Sequence, residues 1–185
     1  IIGYNAPNQV AGLGFTYNGT NMLYEAGPMF GSSASAVSDC VRGATAGSTD
    51  ADFTSMTNIA PVIPTVKSDF DLHGKFNDNA ATPVLNIQVT HNEYAWASAG
   101  NRKYIIWEYL IRNNGSTTLS NFYAGIFADW DIDAATYNDN SSAYDSGNKL
   151  GYTYHTAPGG LYGGIKLLTS TASPNFYALD NTAGG

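Results

Sequence analysis

The sequence predicts an all-β fold, an antiparallel β-sandwich with little or no helix. Three observations carry this expectation. Apolar residues alternate with period two in several stretches of strand length. Gly, Asn and Pro turn signals separate those stretches at intervals of about ten residues. No stretch sustains an apolar stripe at helical spacing, the best being Asp50 to Asn58, with room for about two turns. The 185 residues fit one module of the larger all-β kind, so residues 1–185 read as a single β-sandwich.

The elements follow in order. Gly12 to Tyr17 reads as a strand, Asn18-Gly19 as a hairpin turn, and Met22 to Glu25 as the returning strand. Pro28-Met29-Phe30 continues the meander toward Ala36–Val41, and the small polar residues from Gly43 to Asp52 make a loop. Ile59 to Val66 carries two prolines, which suits an edge strand or an extended connection. Val84 to Trp96 alternates Leu85, Ile87 and Val89 with Asn86, Gln88 and Thr90. Lys103 to Arg112 is apolar on both faces, interrupted by Glu108, and is expected to lie centrally in a sheet covered on both sides. Asn113 to Ser116 is a turn, and Leu119 to Asp131 the next strand. Leu150–Tyr154, Gly164–Leu168 and Phe176–Leu179 complete the series, with Gly159-Gly160 and Gly163-Gly164 at the turns between them.

Composition narrows the function. Charged residues make up 12%, about half the usual share, so the polar surface is built from Asn, Ser, Thr, Gly and Tyr, as in extracellular β-proteins. Eight basic residues against fifteen acidic ones give a formal charge of -7, which disfavours nucleic acid and anionic bilayers as partners. No run of about twenty apolar residues exists, so no membrane-inserted helix is expected. Cys40 is the only cysteine, which rules out an internal disulfide and a Cys-rich zinc site; it is expected to pack as a small core residue. Disulfide-free proteins of this size suit export from bacteria. The chain runs from Ile1-Ile2-Gly3 to Ala183-Gly184-Gly185 without a leader, and reads as a piece of a longer secreted chain.

Catalytic motifs are weak. Gly31-Ser32-Ser33-Ala34, His73-Gly74 and Asp145-Ser146-Gly147 faintly echo subtilisin-like segments, but in reversed order and without the parallel α/β scaffold. The histidines, His73, His91 and His155, lack metal-ligand spacing. Glu25, Glu93 and Glu108 are the only glutamates, and nothing in the sequence joins two of them in a glycosidase pair. A non-catalytic chain is the expectation.

One constellation carries chemistry. Asp129, Asp131 and Asp133 alternate at the end of a strand, and carboxylates on one face repel unless a cation compensates. Asp139 and Asp145 follow in a segment rich in oxygen donors, so Ca²⁺ is the candidate ion and these five aspartates its candidate ligands. The match to an EF-hand is poor, since Ala134 replaces the turn glycine and Asn140 the bidentate glutamate. The alternative is that the acids cap turns and solvate a strand end. Tyr137, Tyr144, Tyr152, Tyr154 and Tyr162 cluster nearby in sequence, either as half-buried strand residues or as a platform for glycans.

Tyr104–Asn113, Ser120–Ile132 and Lys149–Tyr152, with Leu23–Gly27 and Ser68–Asp71, resemble an accessory β-sandwich region of large secreted proteins of Bacteroidetes-type bacteria. That region often accompanies subtilisin-like peptidase domains and a sorting domain for type IX secretion. The resemblance implies a secreted or cell-surface accessory module whose partners are neighbouring domains of its parent chain. It supplies no active-site residue. Two further readings remain: a subunit that assembles with copies of itself through open strand edges, and a carbohydrate-binding module.

Overall fold

A computed structural model of the chain describes residues 4–5, 10–11, 14–41, 50–132, 137–168 and 174–179. Its strands are β1 (Tyr4–Asn5), β2 (Val10–Ala11), β3 (Thr16–Tyr17), β4 (Thr20–Asn21), β5 (Leu23–Ser33), β6 (Ala36–Ser38) and β7 (Thr54–Pro61). They continue with β8 (Phe70–Asn77), β9 (Ile87–Ala95), β10 (Ile105–Asn113), β11 (Tyr123–Trp130), β12 (Asn140–Asp145), β13 (Leu150–His155) and β14 (Tyr162–Lys166). The only helical turn among the described residues is a 3-10 turn at Tyr137–Asp139. The all-β, antiparallel expectation therefore holds. β10-β9-β8-β7 form a four-stranded sheet, while β11-β5-β6 and β12-β13-β14 form three-stranded sheets.

Where a single module is expected from the sequence, the residues gather into two compact units. One comprises residues 1–27, 44–48 and 127–185, the other residues 28–43 and 49–126. β5 and β11 each contribute residues to both.

The second unit is built on an apolar core. Phe30 of β5 meets Leu85 and the β9 residues Ile87 and Val89, all buried. Burying each such side chain contributes about 1.5–3 kcal/mol. Phe30 stacks on Phe122 with centroids 6.2 Å apart, and Phe53 packs on Phe76 at 4.6 Å. The core face of the four-stranded sheet follows from the register: Ile87 and Val89 share it with Phe76 of β8 and with Tyr109 and Ile111 of β10. Gly74 on that face has no side chain, and an added Cβ would stand 3.1 Å from the Ile59 Cα.

In the first unit, Trp130 meets Phe15 edge-on at 6.1 Å, and Ile132 is fully buried. The β3–β4 hairpin turns on Asn18 (φ 49°) and Gly19 (φ 82°), the two positive angles that the predicted Asn-Gly turn requires.

Several elements differ from the sequence reading. β5 runs unbroken through Pro28, whose missing N–H removes no bond to β6 because that ladder begins at Phe30. Of the short helix considered over Asp50 to Asn58, residues 54–58 are instead the start of β7 and Asp50 to Phe53 precede it; without an apolar stripe to bury, strand pairing with β8 wins. β8 has no counterpart in the sequence reading: Phe70, Leu72 and Phe76 share one face at period two, but Gly74 interrupts the apolar alternation. β12 occupies the segment rich in oxygen donors, for which the sequence reading offers no strand. Phe176–Leu179 is not a strand; Phe176 stacks on Tyr144 at 5.4 Å. β10, expected at the centre of a sheet, is an edge strand of its sheet. Its second apolar face is only partly covered: Ile106 is half-buried, and Leu110 is 57% exposed.

Candidate functional site

Three groupings have chemical content. In the first unit, antiparallel register sorts the side chains of β12, β13 and β14 between two faces. Gly151 and Gly163 lie on one of them. Phe176 covers Gly151, and Trp130 and Ile132 cover Gly163, which leaves no room for a Cβ at either glycine. The opposite face carries Tyr152, Tyr154 and Tyr162. Tyr154 and Tyr162 are cross-strand partners, stacked with centroids 5.3 Å apart and planes 17° from parallel. Tyr152 completes the triangle at 6.0 Å from Tyr154 and 6.1 Å from Tyr162. Its cross-strand neighbours on this face are the small residues Ala143 and Gly164, and Tyr152 and Tyr154 are half-buried. Tyr162 is 66% exposed. Asp145, Leu150 and Lys166 close one end of the face and Ser141 flanks Tyr154. Rings of this kind offer apolar area with hydroxyls at the rim, which matches a sugar ring's apolar face and polar edge.

In the second unit, the solvent-side face of the four-stranded sheet carries a hydrogen-bonded chain. Glu108 Oε2 accepts from Tyr94 Oη at 2.8 Å and from Asn92 Nδ2 at 2.9 Å. Lys67 Nζ donates to Tyr94 Oη at 2.9 Å and lies 3.5 Å from Glu108 Oε2. His73 Nδ1 and Asn92 Oδ1 are 2.8 Å apart. The hydrogen bonds from Tyr94 and then Asn92 hold the Glu108 carboxyl below its ordinary range, and the bond to Tyr94 raises the Lys67 ammonium. Val62, Val66, Lys67, His73, Asn92 and Tyr94 line an open groove of about 350 Å³ here. The groove is held by Asp71, which accepts from the amides of Val66, Lys67 and Ser68 at 2.6, 2.8 and 2.9 Å and from the Ser68 hydroxyl.

The third grouping is acidic. Among the described residues, Asp39, Asp50 and Asp52 are the three acids whose oxygens lie within 4.8 Å of one another. The Asp39 N–H donates to Asp52 Oδ2 at 3.0 Å and the Val41 N–H to Asp39 Oδ1 at 3.0 Å. Burial, then Asp52, raises the Asp50 carboxyl. Sequence spacing gave no sign of this cluster, since Asp39 and Asp50 lie far apart in the chain.

The aspartates expected to hold Ca²⁺ are distributed as follows. Asp129 lies on β11 and Asp131 just beyond its end; burial, then the Asp129 charge, raises the Asp131 carboxyl. Asp139 is exposed in the 3-10 turn. The Asp145 carboxylate accepts from the Asn148 amide at 3.0 Å and from Asn148 Nδ2 at 2.7 Å, a turn that holds it below the ordinary range. Asp133 lies outside the described residues, as does the Tyr137 side chain.

His73 meets the amide of Asn92 rather than a carboxylate. Glu93 Oε1 is 3.1 Å from His91 Nε2. Glu93 pairs with Trp107, so adjacent Glu108 projects from the other face of the sheet, and these two glutamates do not flank one cleft. Cys40 accepts the Phe53 N–H at 3.3 Å, and burial pushes its thiol up, as fits a packed residue. No family model, curated protein or solved structure matches the chain.

Proposed function

We propose that the chain is a non-catalytic extracellular accessory module of an exported bacterial multidomain protein, and that it contacts carbohydrate through Tyr152, Tyr154 and Tyr162. The observation that supports this reading is the three-ring face on β13 and β14, with Tyr162 exposed and Tyr152 and Tyr154 half-buried beside it. An uncharged ligand with alternating apolar and hydroxylated surface suits such a face better than an anion does, given a chain of net charge -7. The low charge and the sequence resemblance described above support the extracellular setting.

A glycan array probed with the whole chain, followed by titration of any hit against Tyr154→Ala and Tyr162→Ala, tests the reading. Each ring is expected to account for about a fivefold loss of affinity, from about 1 kcal/mol per aromatic contact. An array without hits, or hits that both variants retain at full strength, would overturn it.

A further inference from the structure

We propose that the open edge of β10 pairs antiparallel with β10 of a second copy of this chain about a two-fold axis at Leu110. β10 ends the order of its sheet, so its outer backbone groups have no strand partner among the described residues. It is long for an edge strand: nine residues pair with β9 in unbroken register. Edge strands are commonly blunted by bulges, proline or lysine. β7, at the other edge, has two register shifts and ends on Pro61, whereas Ile105–Asn113 has no bulge, proline or lysine. The half of β10 from Leu110 onward is exposed, with Leu110 at 57% and Ile111 at 38%.

Self-complementarity of the side chains selects the occupant. Antiparallel strands are related by a two-fold axis at each facing pair, so a strand can pair with itself. With Leu110 facing Leu110, Glu108 faces Arg112 and Arg112 faces Glu108, all on one face of the extended sheet. On the other face Tyr109 meets Ile111 twice. Opposite charges and aromatic–aliphatic pairs directly across strands are the favourable cross-strand combinations. The bonds that Glu108 already makes to Asn92, Tyr94 and Lys67 all engage Oε2. Single-edge pairing buries less than a standard interface, so the dimer is expected to form in the high-micromolar range rather than at trace concentration.

Sedimentation equilibrium over a concentration series tests this. Arg112→Glu places like charges opposite each other twice and is expected to weaken the dimer about tenfold or more; Leu110→Lys sets two lysines face to face and acts likewise. Glu108→Arg homodimers fail for the same reason as Arg112→Glu homodimers. Mixing the two variants restores dimer, because both cross-strand pairs are then Arg opposite Glu. Melting curves check that each variant is folded, and Arg112→Glu and Leu110→Lys leave the Lys67–Tyr94–Asn92 contacts with Glu108 in place should Glu108→Arg unfold. A one-chain mass at every concentration overturns the proposal. A dimer of unchanged strength in both Arg112→Glu and Leu110→Lys also overturns it, because the interface then lies elsewhere.

Discussion

The fully buried Asp78 carboxylate accepts the Ile87 amide at 2.8 Å, tying the turn after β8 to the first residue of β9. The same carboxylate accepts the Leu85 amide at 2.6 Å and the Ser38 hydroxyl at 3.2 Å. It therefore satisfies donors from the connection into β9 and from β6 at the centre of the second unit's core. Removing an acceptor from a buried site leaves its donors with their full desolvation cost, about 1–3 kcal/mol each. Asp78→Ala is expected to destabilise the chain by roughly 3 kcal/mol or more. Asp78→Asn, which keeps one acceptor oxygen, should cost less, and Ser38→Ala least. Urea denaturation of the three variants checks the ranking.

Asp71 gives the acid side of the stability profile. The Ser68 hydroxyl first, and then the amides of Lys67, Val66 and Ser68, lower its pKa from 3.8 to about 2. A folded-state pKa below the unfolded one means that the stabilisation is present above pH 3.8 and is lost as pH falls toward about 2. Asp71→Asn is expected to flatten the stability profile over that window and to lower stability at neutral pH. Ser68→Ala should raise the Asp71 pKa, read by NMR titration of its carboxyl.

Asp131 has the opposite sign. Burial, and then the neighbouring Asp129, raises its pKa, so its charged form is disfavoured in the folded chain. The cost is present at neutral pH and disappears as the group protonates. Asp131→Asn is therefore expected to raise the melting temperature at neutral pH, and Asp129→Asn to bring the Asp131 pKa down. Calcium held by this pair would reverse the ranking of wild type and Asp131→Asn. Calorimetry of both in calcium and in EDTA reads which order holds.

A substitution at Gly163 tests the packing of β14 apart from the proposed carbohydrate contact. An added Cβ would stand 2.6 Å from the Trp130 ring and 3.1 Å from the Ile132 Cδ1, on the face opposite the tyrosines. Gly163→Ala is expected to cost about 1–3 kcal/mol through overpacking. Thermal melts measure it. Tyr162→Ala, at a position 66% exposed, should leave stability within about 1 kcal/mol of wild type.

Much of the fold was legible locally. Alternation in Val84–Trp96 and Leu150–Tyr154, and the Asn18-Gly19 turn, depend on neighbours a few residues away, which is why β9, β13 and the β3–β4 hairpin can be read from their own segments. Cys40 as a packed residue follows in the same way. The site was only half legible. The tyrosines could be counted, but not that Tyr152, Tyr154 and Tyr162 share one face while Tyr144 stacks on Phe176; that depends on the β13–β14 register and on where a distant segment comes to rest.

By itself, the sequence determined the all-β class, the hairpin turn and the alternation within strands, because each rests on backbone preferences and apolar periods of short range. Tertiary structure decided that doubly apolar β10 stands at an edge, since strand order depends on pairings between residues far apart in the chain. It also put Glu93 and Glu108 on opposite faces, gathered Asp39 with Asp50 and Asp52, and gave Asp78 its three donors. Each of these depends on segments distant in sequence coming together, and in a paired strand one residue of slip would place its side chains on the other face.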